Sequence, residues 1–260
     1  MELDYEQYKL VVEALHERRI FIDNAPYLAE DGQQNDACMN IMLALTAAKH
    51  GATIANHYEL TGFIKNEEGH IKGAKVKDCL TGDEWEMKAK GVINATGPFT
   101  DGLRKVDDEK TREIVASSAG VHVIISSYYC PRSMSLLDPD TSDGRVIFFL
   151  PLQGNSIAGT TNSPTEVSAN PVLKENEVQW ILQEVAHHLS GDIKVRSEVV
   201  LSAWSGIRPL IRDPHAKNTE FLVRNHMINV SKNKLLTIAG GKWITYRAMA
   251  NETVDRAIQE

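Results

Sequence analysis

Apolar residues recur at close to helical spacing from the start of the chain. Leu3, Leu10, Val11, Ala14 and Leu15 fall on one side, with Glu6, Glu13, Glu17 and Arg18 on the other. This predicts an amphipathic helix over Asp4 to Arg19, with Asp4 as its N-cap. The following stretch ends at Ala25-Pro26, where the restriction on a residue before proline disfavours helix, and Asp31-Gly32 makes a turn. Ala37 to His50 is apolar around most of its circumference and stops at Gly51, which predicts a helix buried against a sheet and capped by Asn35 or Asp36. Thr53 to Tyr58 reads as a short strand. Gly62, Gly69, Gly73 and Gly82 then punctuate alternating runs at Phe63 to Lys65, Ile71 to Asp78 and Glu84 to Lys88, which predict a β-meander.

The stretch that organises the rest is Val92-Ile93-Asn94, an apolar run that ends at Ala95-Thr96-Gly97-Pro98. It reads as a buried parallel strand, and glycine plus proline end it in a turn where backbone can come close to a ligand. After Asp101 the character changes to α+β. Strands are expected at Gly120 to Ser126, Val146 to Leu150, Ser156 to Gly159 and Val199 to Ala203, with an amphipathic helix over Glu175 to Leu189 and a loop over Thr160 to Asn170. Phe221 to Arg224 and Met227 to Val230 flank an expected turn at His226. Leu235 to Ala239 is a last buried strand and Trp243 to Ile258 a closing helix. The fold class is therefore α/β plus α+β.

Composition narrows the function. With 260 residues, 42% of them hydrophobic, the chain can bury a substantial core. A formal net charge of -7 gives no electrostatic reason to expect nucleic-acid binding, which needs a concentrated basic face. Cys38, Cys79 and Cys130 are far apart and lack C-x-x-C spacing, which argues for free thiols in a reducing compartment. No run approaches the roughly twenty apolar residues of a membrane-spanning helix. The acidic Met1 to Glu6 stretch has the character of neither a secretion signal nor a mitochondrial presequence.

Three places carry candidate chemistry. The Gly240-Gly241-Lys242 turn lies between a buried strand and a helix, so its amides can stabilise a carbonyl oxygen or an anion; the plain alternative is a glycine turn with a solvated lysine. Arg208, between Gly206 and Pro209, is a cation at a strand end on a stiffened turn, suited to a phosphomonoester. His122 alternates with apolar residues in Ser118 to Ile124 and titrates in the range of a base for alcohol oxidation; a hydrogen-bonded structural histidine is the alternative. Arg212 and Arg247 read as salt-bridged surface residues, and no His, Cys, Asp or Glu set has metal-ligand spacing. No nucleophile elbow is present, which leaves hydrolase chemistry without support.

Ala203-Trp204-Ser205-Gly206-Ile207-Arg208-Pro209-Leu210 and Thr237 to Arg247 are strand-like runs that open into glycine turns carrying a cation. Together with Asn94 to Pro98, Asp31 to Ala37 and Thr141 to Pro151, they resemble the FAD-dependent glycerol-3-phosphate dehydrogenases, most closely the mitochondrial kind, over essentially the whole chain. The resemblance implies a partial Rossmann-like FAD-binding domain of the glutathione-reductase and D-amino-acid-oxidase type over 1-112. An inserted antiparallel-sheet substrate domain would follow over 113-205, and a return to the FAD-binding domain over 206-260. It implies oxidation of sn-glycerol 3-phosphate to dihydroxyacetone phosphate, with electrons passing from FAD to membrane quinone at the mitochondrial inner membrane. His122 would assist proton removal, and Arg208 and Lys242 would bind the substrate anion and polarise its oxygen. Ala95, Thr96, Gly97, Gly206, Gly240 and Gly241 would approach FAD, and Arg247 could brace its turn.

The chain departs from that family's pattern in several places. It holds no G-x-G-x-x-G turn, the motif that places a pyrophosphate at a helix N-terminus. Met1 falls after that motif's position, a further block is missing between Leu28 and Asp31, and the family continues past Glu260 with a helical domain and, in mitochondrial members, calcium-binding hands. Cys38 stands where the family has arginine, and Asn162 where it has aspartate. The expectation is an internal portion of the enzyme. The alternative is a truncated, inactive paralogue or fragment without bound FAD, prone to self-association through exposed apolar surface. An FAD oxidoreductase acting on amino acids matches the motifs less well.

Overall fold

The computed structural model describes residues 5–30, 33–130, 134–189, 193, 195–212, 222–223 and 226–260. In chain order the elements begin with α1 (Tyr5–Asn24), β1 (Ala29–Glu30), β2 (Gln33–Gln34), α2 (Asp36–Lys49), β3 (Tyr58–Lys65), β4 (Ile71–Asp78), β5 (Glu84–Lys88) and β6 (Val92–Asn94). Next come α3 (Thr100–Asp107), β7 (Val115–Ser126), β8 (Leu136–Asp138), β9 (Ile147–Leu152), β10 (Asn155–Gly159), β11 (Ser163–Pro164) and α4 (Glu175–His187). The last are β12 (Val200–Arg212), β13 (Leu222–Val223), β14 (His226–Val230), β15 (Leu235–Gly240) and α5 (Tyr246–Gln259). Asp4 and Asp31-Gly32, expected as a cap and a turn, lie outside the described residues.

The chain divides into two compact units, one of Met1–Asn24, Asp36–Ala116 and Pro209–Glu260, the other of Ala25–Asn35 and Ser117–Arg208. In the first unit β6 lies parallel to β15, with Asn94 opposite Thr237, and β14 pairs antiparallel on the other side of β15. Leu235 to Ala239 are all buried, the continuous burial of a strand covered on both faces. The antiparallel β3-β4-β5 meander forms as expected, although its first strand starts at Tyr58 and Thr53 to His57 are not strand. His226, expected in a turn, is instead the first residue of β14.

The two long N-terminal helices do not bury the stripes expected of them. On α1 Val11, Val12 and Leu15 are exposed, while Glu17 and Phe21 are buried. Glu17 is drawn inward by Arg247, and Phe21, four residues on, shares its face. On α2 the buried residue is Met39, and Ile41 and Leu45 are exposed.

In the second unit the strand order is β12-β7-β10-β9-β8, with β11 also on β7, and β10 runs antiparallel to both neighbours. The expected loop after Gly159 therefore contributes a strand at Ser163–Pro164. Along β7 the side chains alternate, so Val121, Val123 and Ile125 point into a core completed by Ile147, Phe149 and Ala158. Helix α4 closes that core with Val178, Ile181, Leu182 and Val185, recurring at helical spacing. Gly120 and His122 consequently belong to the opposite face of β7.

Candidate functional site

That opposite face of the second unit carries three of the expected site residues. Trp204, Gly206 and Arg208 share one face of β12 by strand alternation, as Gly120 and His122 do on β7, and the two strands are neighbours. Arg208, expected at a strand end on a turn, lies instead within β12, which continues through Pro209 to Arg212. The His122 imidazole stacks on the Trp204 indole, with ring centroids 5.7 Å apart and planes 19° off parallel. Arg208 donates from Nη1 to the Thr161 carbonyl at 3.0 Å and from Nη2 to the Thr160 hydroxyl. Its guanidinium lies against Gly120, where a Cβ would sit 2.5, 2.6 and 2.7 Å from Nη2, Nη1 and Cζ. Glycine is required there for the close approach. Among the described residues, and leaving aside Gly206 itself and its two chain neighbours, no atom lies within 4 Å of the position a Cβ on Gly206 would take, so open backbone separates Trp204 from Arg208.

Burial, and then the Arg208 charge, push the His122 imidazole down to about 4. It is neutral at pH 7 and can accept a hydrogen bond. Behind this face, the Thr161 hydroxyl accepts from the Val121 N–H at 2.9 Å and donates to Glu177 Oε1 at 2.9 Å. Ser163 donates to the same carboxylate oxygen at 3.0 Å. Asn162, at the position where aspartate was expected, accepts from the Ser118 hydroxyl at 2.5 Å.

The first unit holds the other six expected residues at two turns. β6 and β15 are parallel, so both turns follow the C-terminal ends of neighbouring strands, the place where open α/β sheets bind ligands. Asn94 is 1% exposed and organises the first turn. Its Nδ2 donates to the Thr100 carbonyl at 3.0 Å, and its Oδ1 accepts from the Thr96 hydroxyl at 2.7 Å and the Thr96 N–H at 3.3 Å. Ala95 and Thr96 are thereby held at the surface, and Gly97 takes φ +57°. In the second turn Gly240 and Gly241 have φ of +76° and +86°, a left-handed pair that residues with a Cβ rarely adopt. Lys242 follows, half-buried, and its carbonyl accepts from the N–H and hydroxyl of Thr245 at 3.0 and 2.9 Å. Arg247 makes a two-pronged ion pair with buried Glu17, Nε to Oε2 at 3.0 Å and Nη2 to Oε1 at 2.5 Å, which ties α5 to α1 just after this turn.

The structure thus brings His122, Arg208 and Gly206 together in one unit, and Ala95, Thr96, Gly97, Gly240, Gly241 and Lys242 in the other. Sequence reasoning missed Trp204, Gly120, Thr160, Thr161 and Glu177 as parts of the arginine's setting. A glycine inside an otherwise apolar strand signals close approach and could have pointed to Gly120. Within the first unit the two glycine turns fit a ligand met by backbone atoms, whereas no stretch of the chain has the G-x-G-x-x-G form of a pyrophosphate turn. Among the described residues no group of three or more His, Cys, Asp or Glu is placed to hold a metal ion.

Comparison with known proteins gives this geometry a setting. The profile of the FAD dependent oxidoreductase family matches residues 4–247. The probable mitochondrial glycerol-3-phosphate dehydrogenase of Caenorhabditis elegans is 55% identical over 230 residues, which cover 88% of this chain and 32% of that protein. The human mitochondrial glycerol-3-phosphate dehydrogenase is 42% identical over 327 aligned positions, covering 100% of this chain and 45% of that protein. The chain spans less than half the length of these curated relatives. Among solved structures, the glycerol-3-phosphate dehydrogenase of Bacillus halodurans complexed with FAD superposes with a TM-score of 0.77 at 28% identity, over 93% of this chain and 48% of that one.

Proposed function

The chain belongs to the FAD dependent oxidoreductase family, whose cofactor is FAD, and from that premise we propose that it carries substrate- and flavin-facing parts of a glycerol-3-phosphate dehydrogenase. The reaction is oxidation of sn-glycerol 3-phosphate to dihydroxyacetone phosphate, with quinone as the electron acceptor. The setting is the mitochondrion, at the inner membrane, in keeping with the mitochondrial relatives. Among the described residues no helix is long and apolar enough to cross a membrane.

The observation that carries the reading is the Arg208 guanidinium held by Thr160 and Thr161 beside a neutral His122. A fixed guanidinium suits a phosphate or an oxygen on the carbon being oxidised, because its paired donors need no reorganisation. His122 accepts the substrate hydroxyl's hydrogen bond. An anion that approaches Arg208 offsets the charge that depresses His122, which strengthens the imidazole as a proton acceptor at the moment substrate is present. Lys242, in the first unit, would bind a substrate anion and polarise its oxygen. Ala95, Thr96, Gly97, Gly240 and Gly241 in the first unit, and Gly206 in the second, are the residues whose backbone would meet the cofactor. The hydride acceptor would be supplied by FAD. The pyrophosphate is assigned to no residue of this chain.

The test is direct. The purified protein is mixed with FAD, desalted, and its retained flavin absorbance followed anaerobically on addition of glycerol 3-phosphate. Retained flavin that bleaches is expected, and Arg208→Ala should slow the bleaching on the order of 100-fold, the size of one charge-assisted pair. Retained flavin that glycerol 3-phosphate fails to bleach overturns the substrate. A folded protein that retains no flavin overturns catalysis by this chain and leaves the non-catalytic alternative.

A further inference from the structure

Glu177 stands in the first turn of α4, is 7% exposed and accepts from the hydroxyls of Thr161 and Ser163. A carboxylate taken out of water needs such donors, and the N-terminus of the helix adds a favourable dipole. The consequence reaches further than its own solvation. A hydroxyl has one proton, and an ionised carboxylate can only accept, so Glu177 dictates where the Thr161 proton points. The Thr161 oxygen is thereby presented to the Val121 N–H, between Gly120 and His122. The carbonyl of the same threonine accepts from Arg208. Thr161 is therefore tied at both ends, to the strand on which the guanidinium rests and to the guanidinium itself.

We propose that Glu177 is a positioning residue for Arg208: acting through Thr161, it holds the guanidinium against Gly120 and beside His122, and so sets how strongly that arginine takes an anion. The anion-binding half of this rests on the reading of Arg208 as the substrate-binding arginine.

Two readouts test it on the whole chain: the titration midpoint of the His122 ring by NMR, and equilibrium binding of inorganic phosphate. In Glu177→Ala the guanidinium loosens, the His122 midpoint rises from about 4 by about one unit, and phosphate binding weakens on the order of 10-fold. Loss of the carboxylate's charge with Arg208 in place would by itself lower a histidine's midpoint. Hydration of the cavity left by Glu177→Ala would raise it, and Glu177→Gln, which leaves no cavity, separates that effect from displacement of Arg208. Glu177→Gln, which keeps the oxygen that accepts both hydroxyls, should restore most of both values. Thr161→Val should reproduce Glu177→Ala and Thr161→Ser should not, while Ser163→Ala should leave His122 unmoved.

A folded Glu177→Ala with an unmoved or lowered His122 midpoint overturns the proposal. If Glu177→Ala does not fold, Thr161→Val against Thr161→Ser decides the same question. Arg208→Lys separates the two layers: unchanged phosphate affinity there sinks the substrate role of Arg208, while the His122 titration, which requires no ligand, still decides the link from Glu177.

Discussion

The two units hold their site residues by different means. In the second, the face that carries His122 and Arg208 is the back of a packed layer in which Val121, Val123, Ile125, Ile147 and Ile181 are all 0% exposed. In the first, Leu15 on α1 is 60% exposed and Ile41 and Leu45 on α2 are 59% exposed, while Glu17 and Asn94 are buried. Apolar burial therefore sets the site strands of one unit, and polar ties set the site turns of the other. Ile181→Ala is the strongest way to break this contrast. It should cost about 2–5 kcal/mol in denaturant unfolding, through lost transfer energy plus a cavity, whereas Ile41→Ala should change stability by less than about 0.5 kcal/mol. Equal losses would show that α2 is covered in solution and would remove the contrast.

The polar side of the comparison is sharpened at Asn94. Asn94→Ala leaves the Thr100 carbonyl and the Thr96 donors without their partner, in a place where Asn94 itself is 1% exposed. The expected loss is about 1–2 kcal/mol, set by the Thr100 carbonyl left unsatisfied, because water can replace the lost acceptor of Thr96 at the surface. It should be accompanied by faster amide exchange at Thr96. A loss under about 0.5 kcal/mol would mean that packing, and not this side chain, shapes the Ala95 to Gly97 turn.

Much of the second unit was legible in the sequence because its elements follow local rules. Alternation around His122 marked β7, short apolar runs marked β9 and β10, and Glu175 to Leu189 read as an amphipathic helix, whose buried side the structure shows to be Val178, Ile181, Leu182 and Val185. The meander of the first unit was legible for the same reason. On α1 the helix was right and its buried face was not. Which face turns inward is decided by the Glu17 pair with Arg247, 230 residues downstream, and no local pattern contains that information. The candidate site divides in the same way. Arg208, His122 and the glycine turns stand out by residue type, but Arg208 is held by Thr160 and Thr161 from a stretch that reads as loop, and rests on Gly120 in another strand. Contacts between distant strands depend on register, and register is a property of the assembled sheet.

Acid should act on His122 and on Asp107 in different windows. Burial pushes His122 down from 6.5 to about 4, with Arg208 adding to the shift. The unfolded chain then binds a proton that the folded one refuses, so this group's contribution is complete above 6.5 and is lost as pH falls from 6.5 to about 4. Asp107 in the first unit behaves otherwise. Burial alone would raise it, but hydrogen bonds from Lys65, Asn233 and Ser231 outweigh burial and hold it below 3.8. Its stabilisation is present above 3.8 and disappears only as pH falls through the lowered folded value. Stability measured against pH should therefore fall in two steps, with His122→Asn abolishing the upper one and Asp107→Asn reducing the lower, to which Asp138 and Asp143, also held below 3.8, contribute. An upper step that survives His122→Asn would assign it to another group.

The smallest effects should come from two glycine substitutions that separate stability from site geometry. Gly240 has φ +76°, so Gly240→Ala places a Cβ in left-handed backbone and should cost about 1 kcal/mol of unfolding free energy. At Gly120 a Cβ would collide with the guanidinium of Arg208, which is the far end of a flexible side chain and can move. Gly120 lies within β7, where alanine is favoured over glycine, so Gly120→Ala should change stability by no more than about 0.5 kcal/mol. Its effect should appear in the site. With Arg208 displaced, the charge that helps to depress His122 recedes, and the histidine's midpoint rises from about 4. Denaturant unfolding and the His122 titration, measured on both variants, read the two outcomes independently. If Gly120→Ala destabilises the chain as much as Gly240→Ala and leaves His122 unmoved, Arg208 does not owe its place to the bare backbone of β7, and the sheet of the second unit tolerates change no better than the turns of the first.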